Sequence, residues 1–118
     1  MRKTALLAFL CLPAATAAPG ASTPTYTKDV AAILNERCVG CHRPGEIGPM
    51  PLTSFKEVRP FAKAIREAVA ERRMPPWHAD PHVGKFSNDR RLSESQIRTL
   101  LQWVNNGAPE GDAKDLPP

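Results

Sequence analysis

The sequence predicts an all-α fold. Apolar residues recur at helical spacing in three separate stretches, and side chains suited to cap a helix stand where those stretches open. The segments between them are rich in proline and glycine, and none sustains the alternation of a strand. Counting one short element, about four helical segments are expected.

Thr27 is suited to cap the first helix, in which Val30, Ile33 and Leu34 form one apolar stripe leading straight into Cys38. Between His42 and Thr53, the residues Pro44, Gly45, Gly48, Pro49 and Pro51 exclude regular structure and predict a tight loop. Ser54 with Glu57 fits a capping box for a short helical turn. Pro60 suits the first position of a third helix, since its missing N–H costs nothing there, and Arg59 before it is steered out of the helical region. Phe61, Ala64, Ile65, Ala68 and Val69 give that helix an apolar face, and it should end near Arg73. Residues 74–92 hold Pro75, Pro76, Pro81 and Gly84 without any period, and so long a loop in a small domain usually has a function. The last helix is the clearest: Ser93 and Gln96 form a capping box, Ile97, Leu100, Leu101 and Val104 make its stripe, and Gly107 stops it.

The beginning of the chain has a different character. Arg2 and Lys3 precede an apolar run from Ala5 to Leu12, and small residues close it at Ala15-Thr16-Ala17, the arrangement of a secretory signal peptide over residues 1–17. The run is much shorter than the ~20 residues of a membrane span, so no span is expected after its removal. Lipidation at Cys11 is disfavoured because Leu10 stands where a small residue is needed. Residues 18–26 then read as a flexible leader, 27–109 as a single domain and 110–118 as a polar, Pro-rich tail. The formal charge of +4 drops to about +2 once Arg2 and Lys3 leave, which supports neither nucleic-acid binding nor a polybasic membrane patch. An exported, periplasmic location is the expectation.

Of the three cysteines, only Cys38 and Cys41 remain beyond the leader, too close together for a framework disulfide. They belong to Cys38-Val39-Gly40-Cys41-His42, the attachment motif of a c-type haem. At about 100° per residue, positions i, i+3 and i+4 share one helix face, so both thiols and the imidazole can address one planar ligand. The thiols would join the haem vinyl groups. His42 would then bind iron through one nitrogen and donate from the other to a loop carbonyl, with Pro49 to Pro51 the expected source. A thioredoxin-like dithiol would need a strand before the motif, where a helix is expected. A zinc site would need a further ligand such as His78 or His82, and no second paired knuckle occurs.

One motif implies one haem, and its far side decides between carrying electrons and binding substrates. Met50, Met74, His78 and His82 are the candidates for the sixth ligand. Met74 is preferred because a whole helix separates it from His42, enough chain to return on the other face, and because Pro75 and Pro76 remove N–H groups that an apolar crevice could not satisfy. Met50 reads as packing against the porphyrin, and His78 and His82 as loop histidines.

This order of parts resembles the class I cytochrome c family. The resemblance rests on the Cys38–His42 motif, on Met74-Pro75-Pro76, and on a closing helix from Leu92-Ser93-Glu94 through Trp103-Val104-Asn105-Asn106-Gly107-Ala108. It implies the small cytochrome c fold, with helices wrapped around one covalently attached haem c, the first and last helices crossing, and iron held by His42 and Met74. Trp103 is expected in the core. The stretches from Arg43 to Met50 and from Trp77 to His82 look like bacterial monohaem domains attached to, or acting beside, larger oxidoreductases, including copper-dependent monooxygenase-like proteins. The implied function is periplasmic transfer of single electrons between a donor and an acceptor protein by transient docking, one of which could be a dedicated oxidoreductase. The alternative is a peroxidase-like haem enzyme or ligand sensor with an open or displaceable sixth position and His78 as its distal residue. Lys63, Arg66, Arg72 and Arg73 could line a docking surface, although Glu67 and Glu71 among them fit a solvated helix face.

Overall fold

In the computed structural model, which describes residues 22–80 and 82–118, a π-helical turn, Tyr26–Val30, runs directly into helix α1, Ala31–Arg37. The expected signal peptide lies outside the described residues. The cap is Thr25 and not Thr27: Thr25 is extended, and its hydroxyl accepts from the Lys28 amide at 3.3 Å, whereas Thr27 is buried inside the turn. Tyr26 accounts for the earlier start. Its ring is buried against Phe55 and Trp103, with centroids 5.4 and 6.4 Å away, so the residue before the apolar stripe is itself a core residue.

Helix α2, Phe55–Val58, a 3-10 turn, Arg59–Phe61, and helix α3, Ala62–Ala70, follow one another without a break. Ser54 caps α2 by accepting from the Glu57 amide at 3.4 Å, but the return arm of the expected box goes elsewhere. Glu57 accepts from the Thr53 amide at 3.0 Å and from the Thr53 hydroxyl at 2.6 Å. The apolar face of the third helix divides. Ala62, Ile65 and Val69 are buried in the core, Ala64 and Ala68 border a cavity, and Phe61, expected on the same face, is 39% exposed. The tight turn at Arg59–Phe61 advances about 120° per residue instead of 100°, which moves Phe61 off the stripe read at α-helical spacing.

Two helix ends close in the same way. After α3, the Arg73 amide donates to the Ala68 carbonyl at 2.9 Å and the Arg72 amide to that of Val69 at 3.1 Å, with Arg72 left-handed at φ +55°. Helix α4, Glu94–Asn105, opens on the full Ser93–Gln96 capping box. It ends with Ala108 donating to Trp103 at 2.9 Å and Gly107, φ +87°, donating to Val104 at 3.0 Å.

Helix α4 packs on α3 and on the Tyr26–Val30 turn. Val30, Leu34, Val58, Leu100 and Trp103 form the most deeply buried part of the core. The chain after α4 then seals the first turn: Tyr26 N–H donates to the Pro109 carbonyl at 3.0 Å and Thr27 N–H to that of Glu110 at 2.9 Å, using two amides that no helix start can satisfy internally. Trp103 donates its Nε1 proton to the same Pro109 carbonyl at 2.9 Å. A 3-10 turn, Ala113–Asp115, also lies against this region. The fold is all-α, with no strand among the described residues, and no helix among them is long and apolar enough to cross a membrane.

Replacing Arg72 by glycine removes the steric cost of a left-handed side chain and should raise stability by about 0.5–1 kcal/mol in denaturant titration. The Glu57 carboxyl is held below its ordinary pKa, first by the Thr53 hydroxyl and then by its other local hydrogen bonds. A depressed pKa contributes stability above the unfolded value, ~4.3 for glutamate, and that contribution is lost as pH falls through the folded value. Glu57→Gln should therefore be less stable than the wild type at pH 7, and the gap should close as the pH falls through that range.

Candidate functional site

Cys38 ends α1, donating its amide to the Leu34 carbonyl at 2.8 Å. The chain then makes one more turn around the Cys38 carbonyl, which accepts from Cys41 N–H at 3.1 Å and His42 N–H at 2.9 Å. This turn sets Cys38, Cys41 and His42 at i, i+3 and i+4, and all three are half-buried, the thiols free. Burial pushes the Cys38 thiol up to about 11, with the neighbouring Cys41 adding to the effect, so Cys38 is a protonated thiol at neutral pH.

The proline- and glycine-rich loop after His42 folds back on the motif. Gly48 N–H donates to the Cys41 carbonyl at 2.8 Å and Leu52 N–H to that of His42 at 2.9 Å. The His42 Nδ1 lies 3.0 Å from the Met50 carbonyl. A carbonyl can only accept, so Nδ1 carries a ring proton, and in the neutral ring the lone pair lies on Nε2. The expected carbonyl in Pro49 to Pro51 is thus that of Met50. Gly48 makes the approach possible: a Cβ there would fall 2.5 Å from the Cys41 carbonyl oxygen and 2.7 Å from His42 Nδ1. At the loop tip, Arg43 pairs with Glu46 at 3.0 Å and Ile47 is 89% exposed.

Cys38, Cys41, His42 and Met74 all line one cavity of about 470 Å³. Its volume lies in the ~300–1,000 Å³ range of small-molecule sites. One wall is the Cys38–His42 turn and the loop from Ile47 to Leu52; the other is α3, through Ala64, Ile65, Ala68 and Val69, and the segment from Arg73 to Pro76. The two alanines present only methyl groups to the cavity, among the larger Ile65, Glu67 and Val69. Met74 follows the left-handed turn at Arg72, with its amide 3.2 Å from the Ala68 carbonyl, and is 42% exposed at the cavity's rim. Met50 is also on the wall and packs against the core. His78 and His82 are exposed and are not among the cavity's lining residues. Among the described residues no group of three or more His, Cys, Asp or Glu is placed to hold a metal ion.

Charged groups border this apolar cavity unevenly. Arg37, Arg73 and Arg90 line it, against Glu67 alone among the acids. Arg37 Nε is buried and has no hydrogen-bond partner among the described residues, and the same holds for Trp77 Nε1 in the loop after Met74, where the indole meets Phe86 edge-on at 5.6 Å. The sequence marks Gly48 only as one loop breaker among several, and Arg37 and Arg90 not at all. For Gly48 the density of breakers in its loop was the available signal, and for Arg37 its place one residue before Cys38. Arg90 carries none, because a long aperiodic loop delivers it.

Compared with protein-family models, curated proteins and solved structures, the chain matches none.

Gly48→Ala should cost about 1–3 kcal/mol of stability, since the added methyl meets backbone and a held imidazole, and the His42 ring resonances should shift. Gly40→Ala is the contrast: its methyl meets only the far end of the Arg90 side chain, at 2.8 Å, and the stability change should be small.

Proposed function

We propose that the chain is a single-haem c-type cytochrome, exported to the periplasm, that carries one electron at a time between a donor and an acceptor protein. The observation that carries this reading is the convergence of two thiols, an imidazole with a fixed tautomer and a thioether on one largely apolar cavity. Convergent polar groups in an apolar pocket are the usual form of a cofactor site, and this set suits haem c within a small cytochrome c fold.

Four side chains would hold the group. Cys38 and Cys41 would each add sulfur and proton across a vinyl double bond, forming two thioethers. His42 would offer Nε2 to iron while Met50 keeps Nδ1 protonated and the ring oriented. Met74 would offer its thioether from the segment leaving α3. A haem held there supplies a one-electron ferric/ferrous couple, and a methionine ligand favours the ferrous state relative to a second histidine. The rest of the chain excludes water through the α3 wall and limits rearrangement by hydrogen-bonding the ligand loop at Gly48, Met50 and Leu52. Transfer then makes and breaks no bond in the protein, and weak, transient docking suffices for its partners.

The peroxidase-like alternative needs His78 beside an open iron position. His78 does not line the cavity, whereas Met74 does, and this favours the carrier.

Protein exported from a host with c-type maturation machinery should show low-spin ferric and ferrous spectra with the weak far-red band of methionine bound to ferric iron. Met74→Ala should abolish that band and let the reduced protein bind carbon monoxide rapidly. An unchanged mutant spectrum would reassign the ligand to Met50 or His78; a high-spin wild type that binds carbon monoxide would support the enzyme or sensor.

A further inference from the structure

Helices α3 and α4 end in the same hydrogen-bond pattern but fill its left-handed position differently. Helix α4 places Gly107 there at φ +87°, whereas α3 places Arg72 at φ +55°. A side chain in the left-handed region carries a steric cost that glycine avoids, so an arginine at this position points to a use for its side chain. Arg72 Nη2 donates to Glu94 Oε1 at 2.6 Å. Resting on the electron-carrier reading, we propose that Arg72 and Glu94 form a clasp across the neck of the 74–92 loop, and that Arg72 is thereby a positioning residue for the Met74 ligand.

Arg72 stands two residues before Met74 and Glu94 two after Leu92, so the ion pair joins the place where the loop leaves α3 to the place where it enters α4. The returning side is firmly held. Leu92 is buried in the core, and the Ser93–Gln96 capping box fixes the first turn of α4, which Glu94 opens. A carboxylate at that end of a helix is itself favoured by the helix dipole. The departing side has less support: the Arg73 and Met74 amides share the Ala68 carbonyl, at 2.9 and 3.2 Å, and the Met74 side chain is exposed at the cavity's rim.

The clasp therefore passes the rigidity of α4 to the segment that carries the thioether. Holding the two ends of a loop together also removes freedom from the chain between them. Because both side chains are exposed, the pair is weak and screened by salt. An effect of that size leaves the fold intact and is read in how readily an outside ligand takes the sixth position.

The test uses the exported full-length protein with its haem. Imidazole takes the sixth position of ferric iron only when Met74 has left it, so its apparent affinity follows the fraction of open sites. Arg72→Gln and Glu94→Gln should each bind imidazole about two- to fivefold more tightly than the wild type at low salt, the range an exposed ion pair supplies. Both should keep the far-red methionine band when imidazole is absent. The double variant should match the single ones instead of adding to them, and Arg72→Lys should recover part of the difference. High salt should bring the wild type to the level of the variants. Amide hydrogen exchange gives a readout without an added ligand: the Arg73 and Met74 amides should exchange faster in both single variants. Arg72→Gly separates ligation from stability, because it should bind imidazole more tightly while unfolding at higher denaturant concentration. If imidazole affinity and both amides are unchanged in Arg72→Gln and Glu94→Gln, the clasp is wrong and the electron-carrier reading stands. If the wild type carries no covalent haem, both fall together.

Discussion

His42 is held by a closed set of backbone contacts, and the arrangement of the cavity follows from them. The Cys38 carbonyl fixes where the histidine leaves the helical turn, the Leu52 amide takes its carbonyl, and the Met50 carbonyl takes its Nδ1 proton. Each partner lies in the same short stretch of chain, which can double back only because Gly48 has no side chain. The ring therefore turns about neither χ angle without giving up a hydrogen bond in a half-buried setting, where the loss is costly. An imidazole in water has two neutral tautomers and free rotation; the contact with Met50 selects one tautomer and one orientation of this ring.

Around that point the helices serve as a frame. The Tyr26–Val30 turn, α4 and the residues after it close on one another through Trp103 and Tyr26, and the most deeply buried side chains do not line the cavity. Helix α3 belongs to both regions. Its larger side chains, Ile65 and Val69, are buried in the core and also reach the cavity wall, where Ala64 and Ala68 contribute only methyl groups. A helix with one broad apolar face can pack on two sides at once when the residues on one of them are small. The left-handed residue at Arg72 then turns the chain sharply enough to set Met74 at the rim.

Much of this was legible in the sequence, for identifiable reasons. Periodicity located α1, α3 and α4, and capping chemistry fixed the start of α4 to the residue, because Ser93 and Gln96 satisfy each other locally. The spacing of Cys38, Cys41 and His42 was enough to expect them on one face. What was not legible depends on contacts distant in sequence. Tyr26 looks like a leader residue until Trp103 and Phe55 are beside it, and Thr25 caps the helix because Tyr26 is drawn into the core. Phe61 fits an α-helical stripe, but the 3-10 turn takes it elsewhere. Arg37 and Arg90 look like ordinary surface cations, and only the fold brings them to one edge.

The pairing of the first turn with Pro109 and Glu110 also imposes an order in time. A chain made from its N-terminus completes the Cys38–His42 turn and its return loop early, from local contacts alone, whereas Tyr26 waits for almost the whole sequence before its amide finds a partner. Contacts between residues so far apart form slowly, since the long intervening loop must first be closed. The spacing of the two thiols thus rests on contacts within one short stretch of chain, apart from the closure that Tyr26 makes with Pro109.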